Sequence, residues 1–243
     1  MSNYFNNFPL LTYKFGNEVS DTLFQNLTTY ISLVDELKGN VAFYDTGYIR
    51  DGERPDTLSY NIYGTTEYYW TFYLLNEDIR ESGWPLKESE ILPSAKVYYP
   101  NMVITTNGNL TTRFLTGQTV TGLTSGAIGV IKKKNIDLGQ IIINTSDTFI
   151  EGEQIYPTDQ TDQIVTITSI VEQYNAVHHY EDTDGKWVDI DPYTFIPSAS
   201  SLIPITNLDR MRLRNEELRI IDVFKPEVVG QIASEFNKLL RLN

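Results

Sequence analysis

The stretch from residue 110 to residue 171 constrains the fold most, because it is rich in Thr, Ile, Val and Gly and alternates apolar with polar residues. Alternation with a period of two is typical of β-strands that bury one face. The stretch also contains a weak internal repeat, since FLTGQTV at residues 114–120 matches FIEGEQI at residues 149–155. Each half reads as strand, glycine turn and strand. The pattern predicts a small all-β barrel or sandwich of about five or six strands, inserted between two outer regions.

Helical signals lie on both sides of this stretch. Before it, Ser20 is suited to cap a helix over roughly residues 21–38, whose apolar residues recur every three or four positions and form one stripe. After it, residues 216–224 predict a strand, and a proline at position 226 marks the start of a second amphipathic helix that runs to about Arg241. We therefore expect an α+β fold with amphipathic helices near both ends.

Prolines and turn residues divide the rest of the chain. Between residues 77 and 109, three prolines favour a loop with one short helix near 86–91 and extended chain at 97–105. Asp184-Gly185 predicts a hairpin turn. Four segments follow: an N-terminal arm and helix at 1–47, a module with a Pro-rich extension at 48–109, the β insertion at 110–171, and a hairpin, linker, strand and helix at 172–243.

Composition excludes several classes of function. The net charge is −13, which disfavours binding to nucleic acid and to an anionic membrane surface. The short basic run Lys132-Lys133-Lys134 is better explained as a turn between strands. The absence of cysteine removes disulfides, thiolate zinc sites and cysteine nucleophiles. No signal peptide or membrane-spanning run is recognisable, so we expect a soluble protein made in a cytoplasm.

Catalytic and metal-binding motifs are weak. His178 and His179 are adjacent, so in a regular strand they would point to opposite faces and could share neither a chelate nor a proton relay. The acidic residues that follow fit a hairpin turn better than a calcium loop, because Gly185 comes too early. Thr124-Ser125-Gly126-Ala127-Ile128-Gly129 lacks the end of a phosphate-binding loop. We expect no enzyme activity, metal or cofactor; a β-rich enzyme that uses either histidine remains an alternative.

The segment from about residue 48 to residue 80 is similar to a LysM module. It combines the Asp51-Gly52-Glu53 turn, a short helix from Pro55 that ends at Tyr63-Gly64, and an aromatic second helix over about Glu67–Leu75 that is followed by Asn76. The resemblance implies a strand–helix–helix–strand fold. The family's usual end of the second strand is replaced here by Glu90-Ile91-Leu92-Pro93.

The aromatic second helix and Trp84-Pro85-Leu86 resemble one LysM-bearing family, the baseplate wedge subunit of T-even-type contractile-tailed phages (the gene product fifty-three family). The flanks agree: Phe5-Asn6-Asn7-Phe8-Pro9-Leu10 and Asn215-Glu216-Glu217-Leu218-Arg219-Ile220-Ile221 resemble the family's two terminal patterns. The resemblance covers roughly residues 1–100 and 172–243 and leaves the β insertion outside.

That resemblance implies a non-enzymatic virion protein, assembled in the host cytoplasm, that joins neighbouring wedges into the ring beneath the contractile sheath. Its partners would be other wedge proteins, with six copies per baseplate by analogy to the ring, and no nucleic acid or membrane. The alternative is a peptidoglycan-binding LysM protein, accessory to a cell-wall hydrolase, that holds N-acetylglucosamine chains with loops 51–55 and 76–79. The residues proposed for partner docking are Asp51, Gly52, Glu53, Tyr68, Tyr69, Tyr73, Asn76 and Trp84.

Overall fold

The structure, a computed structural model, describes residues 10–14, 21–25, 43–190 and 201–242. The helices are α1 (Pro55–Tyr63), α2 (Trp70–Leu75), α3 (Glu77–Ser82), α4 (Glu88–Tyr98), α5 (Asn207–Glu217) and α6 (Pro226–Leu242). The strands are β1 (Leu10–Tyr13), β2 (Thr22–Gln25), β3 (Tyr44–Tyr48), β4 (Met102–Thr106), β5 (Thr119–Gly122), β6 (Ile128–Asn135), β7 (Gln140–Asn144), β8 (Gln154–Pro157), β9 (Val165–Glu172), β10 (Val177–Glu181), β11 (Trp187–Val188), β12 (Ile203–Thr206) and β13 (Ile220–Phe224).

The chain divides into two compact units. The first comprises Met1–Lys87 together with Asn215–Asn243, and the second comprises Glu88–Arg214. The fold is therefore mixed α and β, as expected, and its second unit interrupts the first in sequence.

The first unit is organised around an antiparallel pair of strands from distant parts of the chain, β3 and β13. Their register joins Tyr48 to Ile220 at one end and Tyr44 to Phe224 at the other. Because side chains alternate along a strand, Ile221 and Val223 share one face of this sheet. There they pack in a core whose other buried members are Ile49, Leu58, Phe72, Ile79 and Leu218.

The opposite face of the sheet carries Phe224 and packs against helix α6. The buried side chains Val229, Ile232 and Phe236 lie three and four positions apart, so they form one stripe along the helix. The ring of Trp70, from α2, lies 4.9 Å from the ring of Phe236. The strand predicted within residues 216–224 and the C-terminal helix are thus both present, and the helix uses the apolar stripe to cover the sheet.

The helices before the insertion begin and end at the residues that favour those positions. Pro55 is the first residue of α1, where its missing N–H costs no helical hydrogen bond. Gly64 follows α1 with a φ of 71° and donates its N–H to the carbonyl of Tyr60. The second helix is shorter than predicted, because it begins at Trp70 rather than near Glu67.

Two predictions in the N-terminal half are wrong in part. Residues 22–25 form strand β2, which pairs with β1, and are not helical; the rest of the helix predicted over 21–38 lies outside the described residues, as does Ser20. Helix α4 covers residues 88–98 and is longer than the short helix predicted near 86–91, so residues 97–98 are not extended and Glu90-Ile91-Leu92-Pro93 is not a strand. Pro93 is exposed, and the i, i+4 pair Ile91 and Ala95 is buried, so packing stabilises the helix despite the missing hydrogen bond.

The second unit contains a closed barrel of six antiparallel strands in the order β4-β7-β6-β5-β8-β9. The prediction of a small all-β barrel or sandwich of five or six strands is confirmed as a barrel, but its first strand, β4, lies before residue 110, where the insertion was predicted to begin. Alternate residues point inward, and the interior contains Ile104, Leu110, Phe114, Val120, Ala127, Ile131, Ile141, Ile143, Phe149, Ile155, Val165 and Ile167. The prediction that Lys132-Lys133-Lys134 forms a turn between strands is wrong, because these residues lie inside strand β6, where a register shift occurs between Ile131 and Lys133.

The internal repeat seen in the sequence is also present in the backbone. Gly117 in the first half has a φ of 89° and donates its N–H to the carbonyl of Ile131 at 2.8 Å. Gly152 in the second half has a φ of 82° and donates to the carbonyl of Ile167 at 3.0 Å. Glycine is favoured at both places because the left-handed region disfavours other residues. The two halves of the barrel therefore use the same glycine turn.

A three-stranded sheet, β11-β10-β12, completes the second unit. The connection between β10 and β11 is a turn in which Gly185 has a φ of 75°, and the backbone N–H of Gly185 donates to the carbonyl of Asp182. The predicted Asp184-Gly185 hairpin is confirmed.

Candidate functional site

The Asp51-Gly52 turn is attached to the strand on the far side of the insertion through Arg219. The guanidinium of Arg219 is buried, and it donates to Asp51 Oδ1 and to Glu216 Oε1, each at 2.8 Å. It also reaches the carbonyl of Leu86 at 3.2 Å. Burial alone would lower the pKa of Arg219, but the hydrogen bonds and charges of the two carboxylates raise it overall. The turn is exposed, and its position is set by this ion-pair network.

Glu53 and Trp84 are joined directly. The indole N–H of Trp84 donates to the carbonyl of Glu53 at 2.6 Å, while the Glu53 carboxylate accepts from the amide of Arg50 at 3.0 Å and from Asn61 Nδ2 at 2.8 Å. The Trp84 ring also packs 5.8 Å from the ring of Tyr73. Because both polar groups are satisfied within the unit, these residues stabilise the path of the chain from β3 into α1.

Asn76 connects the end of α2 to strand β13. Its Nδ2 donates to the carbonyls of Phe72 at 2.8 Å and Asp222 at 2.7 Å, and its Oδ1 accepts from the amide of Asp222 at 2.7 Å. The carboxamide of Asn76 therefore provides hydrogen-bond partners for the Phe72 carbonyl near the end of α2 and for the carbonyl and amide of Asp222 in β13.

The tyrosines of α2 and the residues before it are half-buried. The Tyr68 ring makes an edge-to-face contact with Tyr63 at 5.7 Å, and Tyr69 packs against both apolar cores of the unit. Burial raises the pKa of Tyr73, and the nearby Tyr69 raises it further. Burial raises the pKa of Tyr63 to about 12 against the lowering effect of its hydrogen bonds to Thr71 and Phe224. Much of each ring is used for packing inside the unit.

All eight residues proposed for docking thus lie in the first unit, and the contacts described for them are internal. Their role in docking remains a prediction. The sequence did not single out Arg219, Asn215 or Tyr63 individually, although each makes contacts within this unit. The first two stand in the C-terminal Asn-Glu-x-x-Arg pattern, and Asn215 pairs with both backbone groups of Leu86 at 2.7 and 3.0 Å.

An exposed apolar pair lies on the α6 side of the β3–β13 sheet. Tyr48 and Ile220 are register partners and are 58% and 62% exposed, so the described residues leave more than half of each uncovered. At the other end of this face, Tyr44 and Phe224 pack in the core with α6. We call the uncovered pair the Tyr48–Ile220 face. Next to the same strand, a groove of about 520 Å³ is lined by residues of β3, α1 and β13, with Asp45 and Lys225 among them.

The two histidines contact each other, contrary to expectation. A bulge shifts the register of β10 between Val177 and His179, so the strict alternation of a regular strand does not hold. His178 Nδ1 lies 2.9 Å from His179 Nδ1, and His179 Nε2 lies 2.9 Å from Glu181 Oε1. The ring of Trp187 stacks on His179 with centroids 3.9 Å apart. His178, His179 and Trp187 line a cavity of about 660 Å³ in the second unit.

Within the described ranges, no group of three or more His, Asp or Glu side chains is arranged to hold a metal ion. Helices long and apolar enough to cross a membrane are likewise missing from the described part of the chain.

The decisive comparison concerns residues 15–103, which match a family model described as base plate wedge protein 53. These residues belong to that family. The match begins before β2, includes α1 to α4, and stops at the second residue of β4, where the barrel begins. It covers less than half of the 243 residues. A comparison with curated proteins finds no match.

The match to the base plate wedge protein 53 family confirms the resemblance seen in the sequence and indicates that the matched residues have a structural role in a phage baseplate, in the tail of the virion. It lends no support to the glycan-binding alternative. The barrel strands β5 to β9 lie outside the matched residues.

Proposed function

We propose that this chain joins neighbouring wedges into the ring of a contractile-tail baseplate, with six copies per ring. The observation that carries the proposal is the match of residues 15–103 to the baseplate wedge family. A closed ring requires each subunit to present two different surfaces, because a heterologous contact repeats around the rotation axis. The chain has two separate compact units that can supply them.

The module that carries this role is LysM-like in the proposal. Its order is strand β3, helices α1 and α2, and a strand antiparallel to β3, which is the order the resemblance implies. The second strand is β13, and it comes after the whole second unit in sequence. The LysM-like unit is thus split by an insertion, and Arg219, Asn215 and Asn76 attach the returning strand to the first half.

The docking surface in this proposal is the Tyr48–Ile220 face with the adjacent Asp51-Gly52 turn. Both side chains are more than half exposed, whereas Tyr44 and Phe224 at the other end of the same face pack with α6. Tyrosine combines a large apolar ring with a polar tip and is favoured in protein interfaces. Removal of these two side chains from water against a neighbouring wedge would contribute several kcal/mol, at about 25 cal/mol per Å² of apolar area.

Disruption of the gene in its phage tests the role. Without the protein, electron microscopy of lysates is expected to show wedges that do not close into baseplates, and supply of the wild-type chain in trans restores closed rings. Closed baseplates in the absence of the protein would contradict the proposed function.

Surface variants test the docking surface separately. We expect the double variant Tyr48→Ser with Ile220→Ser to retain its melting temperature but to lose rescue in trans. Val97→Ser is the matched control, because Val97 is 78% exposed and lies in the other unit. Full rescue by the double variant would place the docking surface elsewhere.

A further inference from the structure

The contacts among His178, His179 and Glu181 point to a property of the second unit that does not depend on the baseplate role. His178 and His179 are the only histidines in the chain. Their Nδ1 atoms are 2.9 Å apart, which is hydrogen-bond distance, and the second nitrogen of His179 is held by Glu181 at 2.9 Å. His179 and Glu181 are 8% and 20% exposed at their side chains, so water competes weakly for these bonds.

The chemistry of the three groups fixes where the protons lie. A carboxylate accepts only, so the proton between His179 and Glu181 is on His179 Nε2. In a neutral imidazole only one nitrogen carries a hydrogen, so His179 Nδ1 is an acceptor. Its lone pair is directed at His178. The proton between the rings must therefore be on His178 Nδ1. The cluster is a directional chain that runs from His178 through His179 to Glu181.

This chain cannot hold a proton on every ring nitrogen. If both imidazoles were charged, both Nδ1 atoms would carry hydrogens and would face each other at 2.9 Å without an acceptor. The charged groups around the pair add to this effect. Lys133 on β6 and Arg210 on α5 repel a second positive charge at His178, while Glu181 on β10 balances one charge only. Asp189 lines the same cavity.

We propose that the His178–His179–Glu181 chain is a proton-sensitive latch that holds strand β11 against β10. Strand β11 has two residues, Trp187 and Val188, which pair in register with β10. The Trp187 ring also stacks on His179, meets His178 edge-to-face and lies 6.0 Å from the guanidinium of Arg210. Entry of a second proton forces one imidazole to rotate. Because Trp187 contacts both rings, that rotation releases the indole and loosens the hairpin.

The electrostatics agree with this geometry. Burial lowers the pKa of His178 below 6.5, and the charges of His179, Arg210 and Lys133 lower it further. A histidine with a depressed pKa contributes stability that is complete above its unfolded value and is lost as the pH falls from 6.5 through the folded pKa. The latch is therefore closed at neutral pH and opens on acidification.

The first test uses the wild-type protein and long-range ¹H–¹⁵N NMR of its two imidazoles. At neutral pH we expect His178 as the Nδ1–H tautomer and His179 as the Nε2–H tautomer. Nε2–H tautomers at both residues would overturn the proposal.

The second test measures the emission of Trp187 between about pH 8 and pH 5, the range in which histidine changes charge. Subtraction of the Trp187→Phe variant isolates this indole from the other two tryptophans. The wild type should show a transition with its midpoint below 6.5, the ordinary value for histidine. The His178→Asn variant, which cannot take up the second proton, should show none. The proposal is overturned by an identical transition in His178→Asn or by a pH-independent signal in the wild type.

Discussion

The side-chain amide of Asn76 pairs with the backbone of Asp222 through two hydrogen bonds of 2.7 Å, as a neighbouring strand would. The two residues are 146 positions apart, and the whole second unit lies between them in sequence. These two hydrogen bonds therefore attach strand β13, which follows the second unit in sequence, to the end of helix α2, which precedes that unit.

Replacement of Asn76 by Ala should destabilise the first unit by about 1–3 kcal/mol, because it leaves the amide and carbonyl of Asp222 and the carbonyl of Phe72 without this partner. Urea unfolding measures the change. Asn61→Ala is the matched control: Asn61 is exposed, its described bond is to Glu53, and it should change stability by less than about 0.5 kcal/mol. Equal losses of stability in the two variants would show that the pairing of Asn76 with Asp222 stabilises the unit no more than an exposed side-chain hydrogen bond does.

Arg219→Met should destabilise the same unit by about 1.5–3 kcal/mol, the range for hydrogen bonds to charged groups. We expect no more, because the carboxylates of Asp51 and Glu216 are 50% and 57% exposed and remain solvated when the guanidinium is removed. Arg54→Met serves as control, since Arg54 is 79% exposed in its ion pair with Asp56. A stability of Arg219→Met within error of wild type would contradict the role of the network.

Trp70→Ala should cost about 3–5 kcal/mol, because a large buried ring is removed from a packed core. Trp70 is 7% exposed and lies against Phe236, so the cavity opens between α2 and α6. Thermal melting followed by circular dichroism measures the loss, with Val97→Ala as the exposed control. An unchanged melting curve for Trp70→Ala would mean that α6 does not pack against α2.

Glu153→Gln tests how the barrel closes its loops. The Glu153 carboxylate accepts from the amides of Thr124, Ser125 and Ile150 at 2.7–3.1 Å. The repeat-equivalent residue, Gln118, accepts from the amide of Leu115 in the same way, so glutamine fits this turn. We expect the variant to fold and to lose about 1–3 kcal/mol at neutral pH, because a carboxylate accepts these bonds more strongly.

The contribution of Glu153 to stability should depend on pH, and the direction of its pKa shift gives the sign of that dependence. Burial would raise the pKa of Glu153, but its hydrogen bonds lower it overall below 4.5. A carboxylate with a lowered pKa contributes stability above its unfolded value, and that contribution is lost as the pH falls from 4.5 through the folded pKa. The stability difference between wild type and Glu153→Gln should therefore shrink in acid. A difference that is constant with pH would contradict this account.

The barrel and the C-terminal helix could be predicted because their signals are local. Alternation of apolar residues indicates strands, and the repeat of Gly117 at Gly152 indicates two similar halves. Helix α6 shows its stripe directly in the sequence. The extension of helix α4 to Tyr98 was not predicted because Pro93 argues against a helix beyond about residue 91, while the burial of Ile91 and Ala95 that offsets the proline depends on tertiary packing.

The candidate site was only partly accessible from the sequence. The resemblance selected Asp51, Asn76 and Trp84, but their partners lie far away in the chain; Arg219, for example, is 168 residues from Asp51. No local pattern specifies such a pairing. Strict alternation along a strand predicts that His178 and His179 point to opposite faces. The bulge between Val177 and His179 interrupts that alternation, so the two rings can contact each other.

Cryo-electron microscopy of intact tails tests the central claim most directly. The account predicts one copy of this chain at each boundary between wedges, with the Tyr48–Ile220 face against the neighbouring wedge. The absence of the chain from the tail, or its confinement to the interior of a single wedge, would contradict the account.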